Sequence, residues 1–138
     1  MRSGVLILAA ALLAIVPAHA DDDKKQAVHK VTQSKSYLMV DPIYATIVSG
    51  ERPAGMLMVG IGIDVPDETL RAEADHAMPV LRDAYVRNLM AFAATQVRTW
   101  RQPDVAAIAL RLQGVTDRAL GRKGARVLLA QVAMRLTR

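Results

Sequence analysis

Asp75 and His76, with Glu73 and Asp83 close by in sequence, are the residues of this chain best suited to holding a metal ion. Carboxylate and imidazole are both zinc ligands. On a helix, however, side chains at i and i+1 diverge, and the i,i+4 histidine pair that grips zinc from one face is missing. A solvated helix face is the simpler account of these four residues. Asp64, Asp67 and Glu68 could collect a cation at a strand–helix junction, but an N-cap role for Asp67 explains the group without one. Serine, threonine and histidine fall into no nucleophile pattern. Gly60-x-Gly62 lacks the third glycine and the following helix of a dinucleotide site. The sequence thus predicts no catalysis, no cofactor and no metal.

The other notable residues are cations. Arg118, Arg122, Lys123 and Arg126 crowd one short stretch, with Arg135 and Arg138 beyond it. Such a cluster suits anionic lipid head groups or an acidic partner. Solubility and helix-end electrostatics are its plainer explanation.

The elements that must position these residues follow from patterning. The chain has 138 residues, 52% hydrophobic and 22% charged, with 18 Lys+Arg, 13 Asp+Glu and no cysteine. That length suits one domain with a modest core. Much of the apolar excess lies in residues 1–20. Arg2 is a short positive region, Val5 to Val16 is an uninterrupted apolar run, and Pro17-Ala18-His19-Ala20 offers a small-x-small cleavage site. This is the layout of a secretory signal peptide. The run is shorter than the roughly 20 residues of a bilayer span. An uncleaved inner-membrane anchor is the alternative, and either way the domain belongs in the periplasm. Export makes nucleic acid an unexpected partner despite the basic balance, and the absence of cysteine fits an oxidising compartment crossed without a disulfide.

Residues 21–36 (DDDKKQAVHKVTQSKS) are too polar to offset the entropy of ordering, which predicts a flexible tether. His29 within it is read as incidental. Residues 37–138 form the predicted domain. Asp41-Pro42 suits a strand entrance, and a first strand is expected from about Ile43 to Val48, with Ile43, Ala45 and Ile47 on one face. The stretch Ser49 to Gly55 reads as the turn to a second strand from about Met56 to Val65. Its core face is expected to be Leu57, Val59, Ile61, Ile63 and Val65, with Gly60 and Gly62 on the other side, where close packing is anticipated.

Pro66 stops that strand and Asp67 opens a long helix. Leu70, Ala74, Ala77, Leu81, Tyr85, Leu89 and Phe92 give it one buried stripe. Arg71 with Asp75, and Asp83 with Arg87, are expected i,i+4 pairs. Pro79 should kink or split the helix. A connector from Thr95 to Gln102 carries Trp100. A second helix then opens at Pro103-Asp104, with Val105, Ile108, Leu112, Val115 and Ala119 as its stripe, and stops at Gly121. Ala125 to Leu136 is expected as a closing strand, although its Ala, Leu and Met content would also suit a helix. The result is an α+β fold, a small antiparallel sheet with two main helices packed on one face.

Gly60-Ile61-Gly62-Ile63-Asp64-Val65-Pro66, Met78-Pro79-Val80-Leu81-Arg82-Asp83-Ala84 and the closing Val127-Leu128-Leu129 resemble the flagellar basal-body-associated FliL family. The resemblance runs from about Tyr37 to Leu136. It implies a stomatin-type (SPFH-like) periplasmic domain that contacts flagellar stator units and supports motility without catalysis. Candidate partner or lipid contacts are Arg82, Arg118, Arg122, Lys123 and Arg126, and a homo-oligomer is a further candidate assembly. A small periplasmic metal- or ligand-binding protein using Asp75 and His76 is the alternative. The leader generates the first test: intact mass of protein from the envelope fraction should show Asp21 as the first residue. A persisting 138-residue species in membranes would establish the anchor instead.

Overall fold

The computed structural model describes residues 34–137. The leader, its cleavage site, most of the tether including His29, and Arg138 lie outside the described residues. Six elements follow in order: β1 (Tyr37–Ser49), β2 (Arg52–Asp64), α1 (Glu68–His76), α2 (Met78–Thr95), α3 (Val105–Leu120) and β3 (Arg126–Leu136). The strands form one antiparallel sheet in the order β1-β2-β3. The α+β class and the closing strand agree with expectation. Three helices stand where two main ones were expected, because the long helix is split, as Pro79 led one to expect: Pro79 sits at the second position of α2 and the chain breaks at Ala77 between α1 and α2. Proline is well tolerated at a helix start, where its missing N–H has no intrahelical partner to lose.

The expected core face of β2 is the buried one: Leu57, Val59, Ile61, Ile63 and Val65 are all excluded from solvent. They share one cluster with Leu70, Ala74, Leu81, Tyr85, Leu89 and Phe92 from α1 and α2 and with Ile108, Leu112 and Val115 from α3. In α3 the stripe shifts slightly from expectation. Thr116 is buried, whereas Val105, in the first turn, is 49% exposed and Ala119 is exposed.

Both outer strands depart from simple alternation. Asp41-Pro42 is not an entrance but an irregularity inside β1, which puts Val40 opposite Ile61 and Ile43 opposite Val59. Both are buried. An edge strand tolerates a proline there, because its outward N–H has no ladder partner. In β3 the extra residue is Ala130: Leu129 pairs with Ile61 and Gln131 with Gly60. The core side therefore changes from Val127 and Leu129 to Val132 and Met134, which no single alternation over this segment anticipates. The hairpin is also tighter than expected, a two-residue turn at Gly50-Glu51 with Arg52 to Gly55 already in β2.

Caps and clasps close the ends. Asp67 Oδ1 accepts from Leu70 N at 2.7 Å and Asp104 Oδ1 from Ala107 N at 3.0 Å. Gly121 ends α3 with φ 68°, a left-handed residue that costs glycine little. Ser36 O accepts from Val65 N at 2.8 Å, so the last tether residue is fastened to the end of β2. The Gln113 amide acts as a substitute neighbour for β3: it donates to Ala125 O at 2.8 Å and accepts from Val127 N at 2.9 Å.

Leu81 is fully buried in the central cluster, and the adjacent Arg82 is exposed. Truncating such a leucine to alanine removes about 2–5 kcal/mol from a total of about 5–15 kcal/mol for a small domain. Leu81→Ala should therefore melt far earlier than wild type or fail to accumulate, and Arg82→Ala should stay within about 0.5 kcal/mol. Thermal melts of the two variants check this, and equal midpoints would refute the helix phase.

Candidate functional site

The acidic and histidine residues do not assemble. Asp75 and His76 are exposed near the end of α1, and no group of three His, Asp or Glu side chains among the described residues is placed to hold a metal. Asp67 is occupied as the α1 cap, and Asp64 pairs with Arg126 at 3.1 Å. Arg71 does not reach Asp75. Its guanidinium turns back to Val65 O at 3.1 Å, closing the carbonyl left open where β2 ends. The Asp83–Arg87 pair does form, at 2.6 Å and well exposed.

The cations divide. Arg122 pairs with Glu73 at 3.0 Å, joining the end of α3 to α1, and Arg126 is held by Asp64. Lys123 is exposed beside them with no ion pair among the described residues. Arg135 sits at the far end of β3, nine residues from Arg126 along an extended chain, so it is no part of that corner. Arg82 is exposed on α2, six residues before Asn88, and is not among the residues lining the surface described next.

Arg118 belongs to a surface where cations and apolar side chains meet. A broad open groove of about 460 Å³ runs between α2 and α3, lined by Asn88, Phe92 and Gln96 on one wall and Ala107, Leu110, Arg111, Gly114 and Arg118 on the other. Arg111 and Arg118 are seven residues apart, so they project from one side of α3 about 10.5 Å apart along its axis. The Arg111 guanidinium carbon lies 5.8 Å from the Phe92 ring centroid, within cation–π range. The Arg118 side chain lies against Gly114, 3.4 Å from where a β-carbon would be. Leu110 stands 77% exposed at the rim. Neither Arg111 nor Leu110 was singled out by sequence. The available signal was the seven-residue spacing of two arginines around a leucine off the buried stripe.

Tyr85 sets the spacing of the groove walls. Its hydroxyl donates to Thr116 Oγ1 at 2.6 Å, and Thr116 in turn donates to Leu112 O at 2.8 Å. This chain bolts α2 to α3 beneath the groove. Such an arrangement, cations flanking a small apolar floor, can hold an acidic segment that carries an apolar side chain. No family model matches the chain, and no curated protein matches it.

Burial pushes the Tyr85 hydroxyl above its ordinary value of 10.0, with the Thr116 hydrogen bond opposing in part. A group raised in the fold stabilises fully below its unfolded pKa and loses that contribution as pH climbs through the folded one. Melts compared at about pH 8 and about pH 11 should show Tyr85→Phe losing less stability on alkalisation than wild type. At the lower pH it should start about 1 kcal/mol below, for the missing hydrogen bond. Parallel losses in the two proteins would show that Tyr85 does not carry the alkaline transition.

Proposed function

We propose that this protein is a non-catalytic interaction module of the cell envelope, a FliL-like periplasmic domain that holds an acidic segment of an inner-membrane complex in the α2–α3 groove. The observation that carries it is the presence of Arg111 and Arg118 along one wall of the groove, with Phe92 on the facing wall and Leu110 at the rim. Neither Arg111 nor Arg118 makes an ion pair among the described residues, which leaves both guanidinium groups able to take an acidic partner. Two further features support the family reading: the strand–strand–helix–helix–helix–strand order, and a proline-initiated helix that carries the Met78 to Ala84 motif. The flagellar stator is the partner class this resemblance brings, and support of motility is the corresponding role. No helix among the described residues is long and apolar enough to cross a membrane. Attachment to the membrane would rest on the partner, or on a retained leader.

Crosslinking in intact envelopes, followed by recovery of the protein, tests the proposal. Wild type should bring down an inner-membrane protein. The Arg111→Glu/Arg118→Glu double variant should recover at least about tenfold less, as expected when like charge replaces complementary charge. Recovery of no inner-membrane protein, or equal recovery by the variant, would reject the groove. A deletion strain that swims normally would retain the envelope role and remove the flagellar one.

A further inference from the structure

The side of the sheet away from the helices is bare; its middle rows are apolar and its ends carry Asp64, Arg126 and Arg135. Across the three strands its side chains fall into rows set by the pairing: Met39–Gly62–Leu128 in one row, and Tyr44–Met58–Ala133 in another. Between them lies Gly60, flanked by the irregularities of both outer strands. Met39 is 77% exposed and Tyr44 57%. The Tyr37 ring already lies in the hollow above Gly62, where a β-carbon would collide with it. This is aromatic cover of a strand glycine by a neighbouring strand.

We infer that this face is where two copies of the chain pack, sheet against sheet, about a two-fold axis running across the strands at Gly60. The rows on either side of Gly60 are unlike, and their differences match under that rotation. Tyr44 of one copy comes over Met39 of the other, an aromatic–sulfur contact. Ala133 comes over Leu128, small against large. Met58 comes over the Tyr37 ring seated at Gly62. Facing positions that alternate in bulk are what lets two layers interdigitate. At the two ends Asp64 of one copy comes over Met56 of the other, and Arg126 comes over Arg135, with Asp64 beside its own Arg126 to offset the like charge.

The size agrees with a second copy as occupant. The face extends along Gly55 to Asp64 of β2, ten residues in register with β3. At roughly 3.3 Å per residue and about 4.8 Å between strands it measures roughly 33 by 14 Å. That is on the order of 500 Å² in projection for the whole face, its charged ends included. Two such faces together reach roughly the 1,000 Å² that a specific interface requires, before side-chain relief is added. The dimer would be a four-layer helix–sheet–sheet–helix body, with its two α2–α3 grooves facing outward on opposite sides. It is therefore independent of the groove proposal.

Sedimentation of the purified full chain over a concentration series tests this. Wild type should dimerise with a Kd on the order of micromolar or tighter. Met39→Lys and Tyr44→Lys, both at well-exposed positions, should each weaken dimerisation at least about tenfold with circular dichroism and melting unchanged. Leu110→Lys, on the opposite side of the domain, should dimerise as wild type does. Because the chain has no cysteine, Gln131→Cys places a lone thiol beside the proposed axis. A short bismaleimide should join its two copies faster than it joins copies of Leu110→Cys. A dimer indifferent to both face variants overturns the inference. So does a chain that is monomeric alone and sediments with anionic phospholipid vesicles through Met39 and Tyr44, which would assign the face to lipid.

Discussion

Leu57, Val59, Ile61 and Ile63 reach the helices from one side of the central strand and see almost no solvent. Burying each side chain is worth about 1.5–3 kcal/mol, comparable in sum with the whole stability of a domain this size. β2 is hydrogen-bonded on both sides, so its orientation dictates which way β1 and β3 must face. A slip of one residue would send Met58, Gly60 and Gly62 toward the helices. The stripe of Leu81, Tyr85 and Leu89 would then meet hollows instead of side chains. No other contact in the molecule is as constraining.

The irregularities of the outer strands are consequences of that constraint. β1 and β3 each carry one extra stretch of chain, and in both cases the insertion restores apolar residues to the side β2 has chosen. Without the irregularity at Asp41-Pro42, Val40 and Ile43 would lie on opposite faces. Without the extra residue at Ala130, Leu129 and Val132 would do the same. Bulges of this kind also twist the sheet edges and disrupt their templates for strand addition. The surfaces left for association are accordingly not the edges. They are the bare face of the sheet and the groove between α2 and α3.

Those two surfaces differ in chemistry because different elements make them. The middle of the sheet face is apolar, with Met39, Tyr44 and Met58 standing on hydrogen-bonded strands. The groove is cationic and lies between two helices whose separation is set by a buried hydroxyl pair, Tyr85 with Thr116. Buried side-chain polar atoms are all partnered among the described residues. Buried polar groups here hold the frame, and the chemistry available to a partner is on the outside.

Much of this was legible in residue patterning. The core face of β2, the α1–α2 stripe, the Asp67 and Asp104 ends and the stop at Gly121 each follow from local rules of periodicity, capping and backbone freedom, and each is present. These features depend on residues within a few positions of one another, which is why sequence alone determined them. Tertiary structure decided the rest. Arg71 bonds the carbonyl at the end of β2 and forms no pair with Asp75. Gln113 fastens β3, and Arg111 finds the Phe92 ring, through neighbours distant in the chain. The irregularities at Asp41-Pro42 and Ala130, and with them the composition of the bare face, are set by the register against β2. Register is a property of strands brought together, and no single strand contains it.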